Sequence, residues 1–142
     1  VPKRVLVVED NELNLKLFCD LLRAHGYEAE PVRDGREAVP AARRFRPHLV
    51  IMDVQLPHVT GFELIGQMQT DPVLGRIPIM AVTAYSSHED EERIRAAGAR
   101  SYVAKPISLA RFVDQVEKLM AAIEDPAADA AKTPDPSKDP AR

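Results

Sequence analysis

Five apolar, strand-like runs alternate strictly with five stretches of helical periodicity, and that alternation constrains this 142-residue chain more than any other feature. Arg4 to Val8 is a continuous valine-rich run, as a strand buried on both faces requires. Glu28 to Val32 alternates weakly and reads as an edge strand, while Leu49 to Met52 reads as the central one. Ile79 to Val82, preceded by Pro78, and Ser101 to Ala104 complete the set. Buried strands separated each time by a helix imply an α/β fold, a doubly wound five-stranded parallel sheet flanked by five helices.

The predicted helices carry their own start and stop signals. Asn11 can cap the first, whose Leu13, Leu17, Phe18, Leu21 and Leu22 recur at helical spacing, and Gly26 ends it. Asp34-Gly35-Arg36-Glu37 reads as a capping box opening the second helix. Pro40 inside that helix removes a donor and crowds the preceding turn, which predicts a kink or a short helix. Phe62, Leu64, Ile65 and Met68 make the third helix, and Asp71-Pro72 opens a loop. Ser86-Ser87-His88-Glu89 reads as a second capping box before a highly charged helix that Gly98 terminates. Ser108 caps the last, through Leu109, Phe112, Val113, Val116, Leu119, Met120 and Ile123. These elements form one domain over residues 3–123. The remaining 124–142 turn to Pro, Ala, Asp and Lys without a large apolar side chain, and so read as a disordered tail.

Composition narrows the function. A net charge of -3 gives no electrostatic case for DNA or for an anionic membrane surface. No apolar stretch approaches transmembrane length and no leader opens the chain, so a cytoplasmic protein without membrane insertion is expected. Cys19 is the single cysteine, which rules out an internal disulfide framework and a thiolate metal site; it reads as a buried structural thiol. His25, His48, His58 and His88 show no metal-ligand spacing and read as surface or loop residues.

Chemistry collects where the strands stop. Glu9 and Asp10 follow the first run, Asp53 the third, Thr83 the fourth, and Lys105-Pro106 the fifth. In an open α/β sheet the carboxyl ends of the strands share one edge, where ligands bind. Three carboxylates, a hydroxyl and an ammonium gathered there describe a small site for a cation and a phosphoryl group. A hard divalent ion such as Mg²⁺ takes oxygen ligands, here Glu9, Asp10 and Asp53 with the backbone carbonyl of Gln55 as an addition. Without a cation the three carboxylates repel and at least one pKa rises. Positioning and charge neutralisation are most of what phosphoryl transfer requires.

Four segments carry a resemblance: Val7-Val8-Glu9-Asp10-Asn11, Met52-Asp53-Val54-Gln55-Leu56-Pro57, Val82-Thr83-Ala84 and Tyr102-Val103-Ala104-Lys105-Pro106. Together they resemble the receiver domain of two-component response regulators from Val5 to about Met120, which implies the flavodoxin-like receiver fold. The resemblance implies that Asp53 is the phosphoacceptor, that Glu9 and Asp10 hold Mg²⁺, and that Thr83 and Lys105 bind phosphate. It also implies that Tyr102 is a rotameric switch and that Lys105-Pro106 is a cis peptide. Asp53-Val54-Gln55-Leu56-Pro57, Val82-Thr83-Ala84-Tyr85 and Asp90-Glu91-Glu92-Arg93-Ile94-Arg95 are similar to the single-domain DivK-like subfamily.

The resemblance implies a histidine kinase or a histidine phosphotransfer protein as partner, and a monomer or weak dimer. Receivers dock their phosphodonor on the first helix, which points to Asn14, Leu15 and Phe18 as contacts. Leu56 and Thr60 depart tolerably from the common pattern, and Gln55 and Tyr85 offer no obvious help to an attacking water, so a phosphoryl group lasting minutes or longer is expected. Arg93, Arg95 and Arg100 read as a solvated helix face. An aspartyl phosphatase would need a second acid where Gln55 stands, and a nucleotide site would need a Gly-rich loop after the first strand. The expected function is therefore a phosphorylation-controlled binding module and not an enzyme. Its alternatives are an intermediate phosphorelay carrier and a receiver excised from a hybrid kinase.

Overall fold

A computed structural model of the protein describes residues 2–84 and 87–124. Five strands, β1 (Arg4–Val8), β2 (Glu28–Val32), β3 (Leu49–Asp53), β4 (Ile79–Thr83) and β5 (Ser101–Ala104), form one sheet. All pair in parallel, in the order β2-β1-β3-β4-β5. The helices between and after them are α1 (Glu12–Ala24), α2 (Ala38–Phe45), α3 (Gly61–Thr70), α4 (His88–Ala97) and α5 (Leu109–Glu124). The doubly wound five-stranded sheet with five helices is the architecture expected.

Alternation along each buried strand divides the interior into two cores. Leu6, Val8, Val50, Met52, Ile79 and Ala81 point to the side covered by α2, α3 and α4. Their neighbours Val5, Val7, Leu49, Ile51, Met80 and Val82 point to α1 and α5, where Phe18 stacks on Phe112 with ring centroids 4.8 Å apart. Cys19 lies in this second core, and burial raises its thiol pKa, as a structural cysteine requires.

Several local expectations change in detail. Leu13 and Leu17 of α1 are exposed, at 79% and 42%, whereas Leu15, Phe18, Cys19 and Leu22 are buried. Two residues along a helix turn the side chain by roughly 200°, so Leu13 and Leu17 lie nearly opposite Leu15 and cannot share its core face. Asp34 accepts from the Arg36 N–H and opens a single 3₁₀ turn; α2 itself starts at Ala38 without a side-chain cap. That displacement puts Pro40 in the first turn, where no intrahelical donor is needed, and the helix is short, as Pro40 predicted. The cap of α4 is Ser87 with Asp90, one residue beyond the predicted box, whose Ser86 lies outside the described residues. A further capping box, Thr60 with Glu63, starts α3. Tyr85 also lies outside the described residues; of the predicted tail 124–142, Glu124 is the last residue of α5 and the rest lies outside them. No helix among the described residues is long and apolar enough to cross a membrane.

Candidate functional site

Parallel register brings the strand-end residues together. Val8 pairs with Met52, so Glu9 emerges beside Asp53; Asp53 pairs with Val82, and Thr83 with Ala104, just before Lys105. The order β2-β1-β3 reverses direction at β1, and the crevice between β1 and β3 is where an open sheet of this kind takes a ligand. Gly61 fits the α3 start under the β3 end: a Cβ there would lie 2.4 Å from Val54 Cα and 2.5 Å from Asp53 O. A side chain at that approach would force the backbone of α3 or of the β3 end to shift.

Glu9 and Asp53 are almost completely buried, Asp10 is exposed, and carboxylate oxygens of all three lie within 4.8 Å of one another. Backbone donors orient the two buried acids. Asn11 N–H donates to Glu9 Oε2 at 3.0 Å and Gln55 N–H to Asp53 Oδ1 at 2.8 Å. Lys105 Nζ donates to Asp53 Oδ2 at 2.9 Å and stands 3.8 Å from Glu9 Oε1. Among the described residues Glu9 Oε1 is the buried side-chain oxygen without a hydrogen-bond partner. A buried oxygen in that condition is costly unless something binds it. Three convergent carboxylates with one unsatisfied buried oxygen therefore fit a hard divalent cation.

The electrostatics agree. Burial pushes the Glu9 carboxyl up to about 7; the Asn11 N–H works against this, the neighbouring Asp53 carboxylate adds to it, and Lys105 takes part of it back. For Lys105 burial alone would lower the pKa, but the hydrogen bond to Asp53 and the charges of Asp53, Glu9 and Asp10 leave it raised. The ammonium is thus held charged against the acids. The Lys105-Pro106 bond is cis.

Every residue of the predicted pocket is at this edge. Thr83 is fully buried, and its carbonyl accepts from Lys105 N–H at 2.6 Å. Gln55 has a second engagement that spacing did not suggest: its side-chain Oε1 accepts from Ala84 N–H at 3.3 Å. Tyr102, half-buried on β5, donates its hydroxyl to Glu91 Oε1 at 3.2 Å. The proposed contacts on α1 need correction. Leu15 and Phe18 are 5% and 1% exposed and belong to the core, so no partner reaches them; Asn14 is half-buried. Arg93, Arg95 and Arg100 are exposed, as a solvated face requires, and two of them also meet rings: the Arg93 guanidinium lies 4.4 Å from the Phe62 ring centroid and that of Arg95 5.8 Å from that of Tyr102. His48 also has a structural post: its Nδ1 accepts from Arg4 N–H at 3.0 Å.

Comparison with known proteins gives one consistent picture. The family model described as the response regulator receiver domain matches residues 5–117. A relative from Brucella anthropi, the polar-differentiation response regulator DivK, is 48% identical over 120 residues, which cover 84% of this chain and 98% of the relative. Among solved structures, the Vibrio cholerae chemotaxis response regulator CheY4 superposes with a TM-score of 0.80 at 28% identity, covering 84% of this chain and 99% of its own. The receiver domain of the Pseudomonas aeruginosa sensor histidine kinase PA1611, solved with a magnesium ion in its active-site cleft, gives 0.77 at 31% identity, covering 85% and 99%.

Proposed function

Because this chain belongs to the response regulator receiver family, we propose that it accepts a phosphoryl group on Asp53 from a phosphohistidine donor and thereby switches protein–protein binding. The observation that carries this reading is Asp53 itself. It is buried, held at Oδ1 by the Gln55 N–H and at Oδ2 by Lys105 Nζ, beside two further carboxylates. A structural acid needs no such company.

Glu9, Asp10, Asp53 and the Gln55 carbonyl would hold Mg²⁺, which supplies neutralising charge and a ligand position for a phosphoryl oxygen. Asp53 acts as nucleophile: one carboxylate oxygen forms the bond to phosphorus while the bond from phosphorus to the donor imidazole nitrogen breaks, its electron pair staying on that nitrogen. Lys105, already within hydrogen-bond distance of Asp53, pairs with the charge that arrives. The Thr83 hydroxyl receives a second phosphoryl oxygen. Movement of Thr83 toward the phosphoryl group opens space for Tyr102, and the surface of α4, β5 and α5 changes its partner preference. A coupling of about 1–3 kcal/mol suffices for such a two-state switch.

Relatives named for polar differentiation support a cell-polarity role, and the output we propose is control of histidine kinases in such a polarity or cell-cycle pathway. Asn14, with the exposed Leu13 and Leu17 beside it on α1, fits the phosphodonor contact better than the buried pair first expected. The chemistry is tested by intact-mass analysis after treatment with acetyl phosphate and Mg²⁺. One added phosphoryl group in the wild type and none in Asp53→Asn is the expected result; labelling that survives the substitution overturns the assignment.

A further inference from the structure

We infer that Glu91 and Arg95 of α4 form a side-chain latch that holds Tyr102 in its present rotamer and sets how readily the switch is thrown. The inference rests on the reading of Tyr102 as the switch residue and assigns two residues that tune it. Tyr102 donates its hydroxyl to Glu91 Oε1 at 3.2 Å, and the other oxygen of that carboxylate accepts from Arg95 Nε at 3.1 Å. Arg95 Nη1 then donates to the Arg100 carbonyl, just before β5, at 3.1 Å, while its guanidinium carbon lies 5.8 Å from the centre of the Tyr102 ring. The contacts close a ring: tyrosine hydroxyl to carboxylate, carboxylate to guanidinium, guanidinium to the tyrosine face and to the strand that carries it.

Geometry makes the pair more than a surface ornament. Ile94 is fully buried between them in sequence, which anchors this turn of α4 and presents Glu91 and Arg95, one turn apart, to β5. Any rotation that carries the Tyr102 ring away from α4 must give up the bond to a charged acceptor and the contact with the guanidinium together. Nothing in the ring of contacts is a residue of the acidic pocket, so the latch can be altered without touching the phosphorylation chemistry. Linkage is reciprocal: a latch that favours the unphosphorylated rotamer opposes phosphorylation by the same factor by which phosphorylation opposes the latch.

The chain has three tyrosines and no tryptophan, which makes fluorotyrosine labelling informative. Fluorine spectra of the labelled wild type would be taken free and after acetyl phosphate with Mg²⁺, with Tyr102→Phe used to assign the Tyr102 signal. In unphosphorylated Glu91→Ala the Tyr102 resonance should move along the line joining the two wild-type positions. Glu91→Gln keeps an acceptor and should move less. Initial phosphorylation of Glu91→Ala at subsaturating acetyl phosphate should be about three- to tenfold faster, because a larger share of the free protein already holds the competent conformation. A lowered melting temperature with an unmoved Tyr102 resonance and an unchanged rate would make the pair a mere tie between α4 and β5, and overturns the latch. Should Glu91→Ala fail to fold, Arg95→Met carries the same expectations. If the wild type takes no phosphoryl group, the phosphoacceptor reading fails by itself, and the latch is judged from Tyr102 χ1 couplings in the free proteins: unchanged in Glu91→Ala, it falls too.

Discussion

The acidic pocket and the outer face of α4 and β5 are made of opposite materials. In the pocket Glu9, Asp53 and Thr83 are 0–2% exposed, and backbone N–H groups at the strand ends aim the two acids. On the other face Glu91, Arg93, Arg95 and Tyr102 are half-buried or exposed, and their side chains are held chiefly by one another. The first arrangement fixes the two acids, whose positions follow the strand ends. The second exchanges partners at small cost, because exposed ion pairs contribute roughly 0–1 kcal/mol each. A domain that must do chemistry in one place and change shape in another has reason to be built both ways.

The contrast predicts all-or-none effects in the pocket and graded ones on the face. Asp53→Asn is the extreme case, with phosphorylation lost entirely while the circular dichroism spectrum stays that of the wild type. Next comes Gly61→Ala, whose new methyl would fall within 2.5 Å of the β3 backbone. Overpacking of that kind costs about 1–3 kcal/mol. Calorimetry should find the midpoint lowered by about 3–10 °C. Gly66→Ala is its control, since nothing lies within 4 Å of a Cβ there and the position is inside α3. It should stabilise by about 0.5–1 kcal/mol. Equal losses at both glycines would mean that α3, and not the approach to Asp53, limits stability.

A cation sharpens the pocket side through Glu9. Its pKa in the folded, cation-free protein is raised from the ordinary 4.5 to about 7, chiefly by burial. The sign follows directly: the folded state binds that proton more tightly than the unfolded chain. Its contribution to stability is therefore full below pH 4.5 and lost as pH rises through about 7. Mg²⁺ must displace the same proton, so its apparent Kd should rise about tenfold per pH unit below 7 and level off above it. Isothermal titration should show proton release in acid and little in base. The Mg²⁺-induced rise in melting temperature should be larger at about pH 8 than at about pH 6. A Kd flat across that range would remove Glu9 from the ligand set.

What was legible in the sequence divides along the same line. Pocket residues follow strand ends, and strand ends follow apolar runs, so Glu9, Asp10, Asp53, Thr83 and Lys105 could be placed together from position alone. The α1 face was misjudged because Leu13 and Leu17 have an i, i+4 spacing of their own; hydrophobicity cannot say which of two stripes turns inward, and the sheet chose Leu15, Phe18, Cys19 and Leu22. The i, i+4 ion pair of Glu91 and Arg95 went unread in the sequence, although its spacing permits it. That Tyr102 would join it depends on how α4 lies against β5, a tertiary fact with no sequence period. Likewise the cap of α4 fell on Ser87 and Asp90 because an Asp serves at N3 when a Ser precedes it by three, a choice the neighbouring Ser86 and Glu89 left open.

The smallest expected effect tests whether the two regions are separate at all. Arg93 lies over Phe62, joining α4 to α3, yet both side chains also line a groove that reaches Asp10 and Gln55. Among the described residues Arg93 forms no ion pair, so the aromatic face is what orders it. An exposed contact of this kind contributes about 0.5–1 kcal/mol. Arg93→Ala should therefore lower the melting midpoint by only about 2–4 °C. Arg93→Lys, with a smaller cation that stacks less well, should recover part of that loss. The rate of phosphorylation by acetyl phosphate should not change in either variant, because no pocket oxygen is bound by this guanidinium. A rate reduced by more than about threefold, which is about 0.65 kcal/mol on the barrier, would show that α4 reaches into the chemistry. The pocket and the face would then be one device.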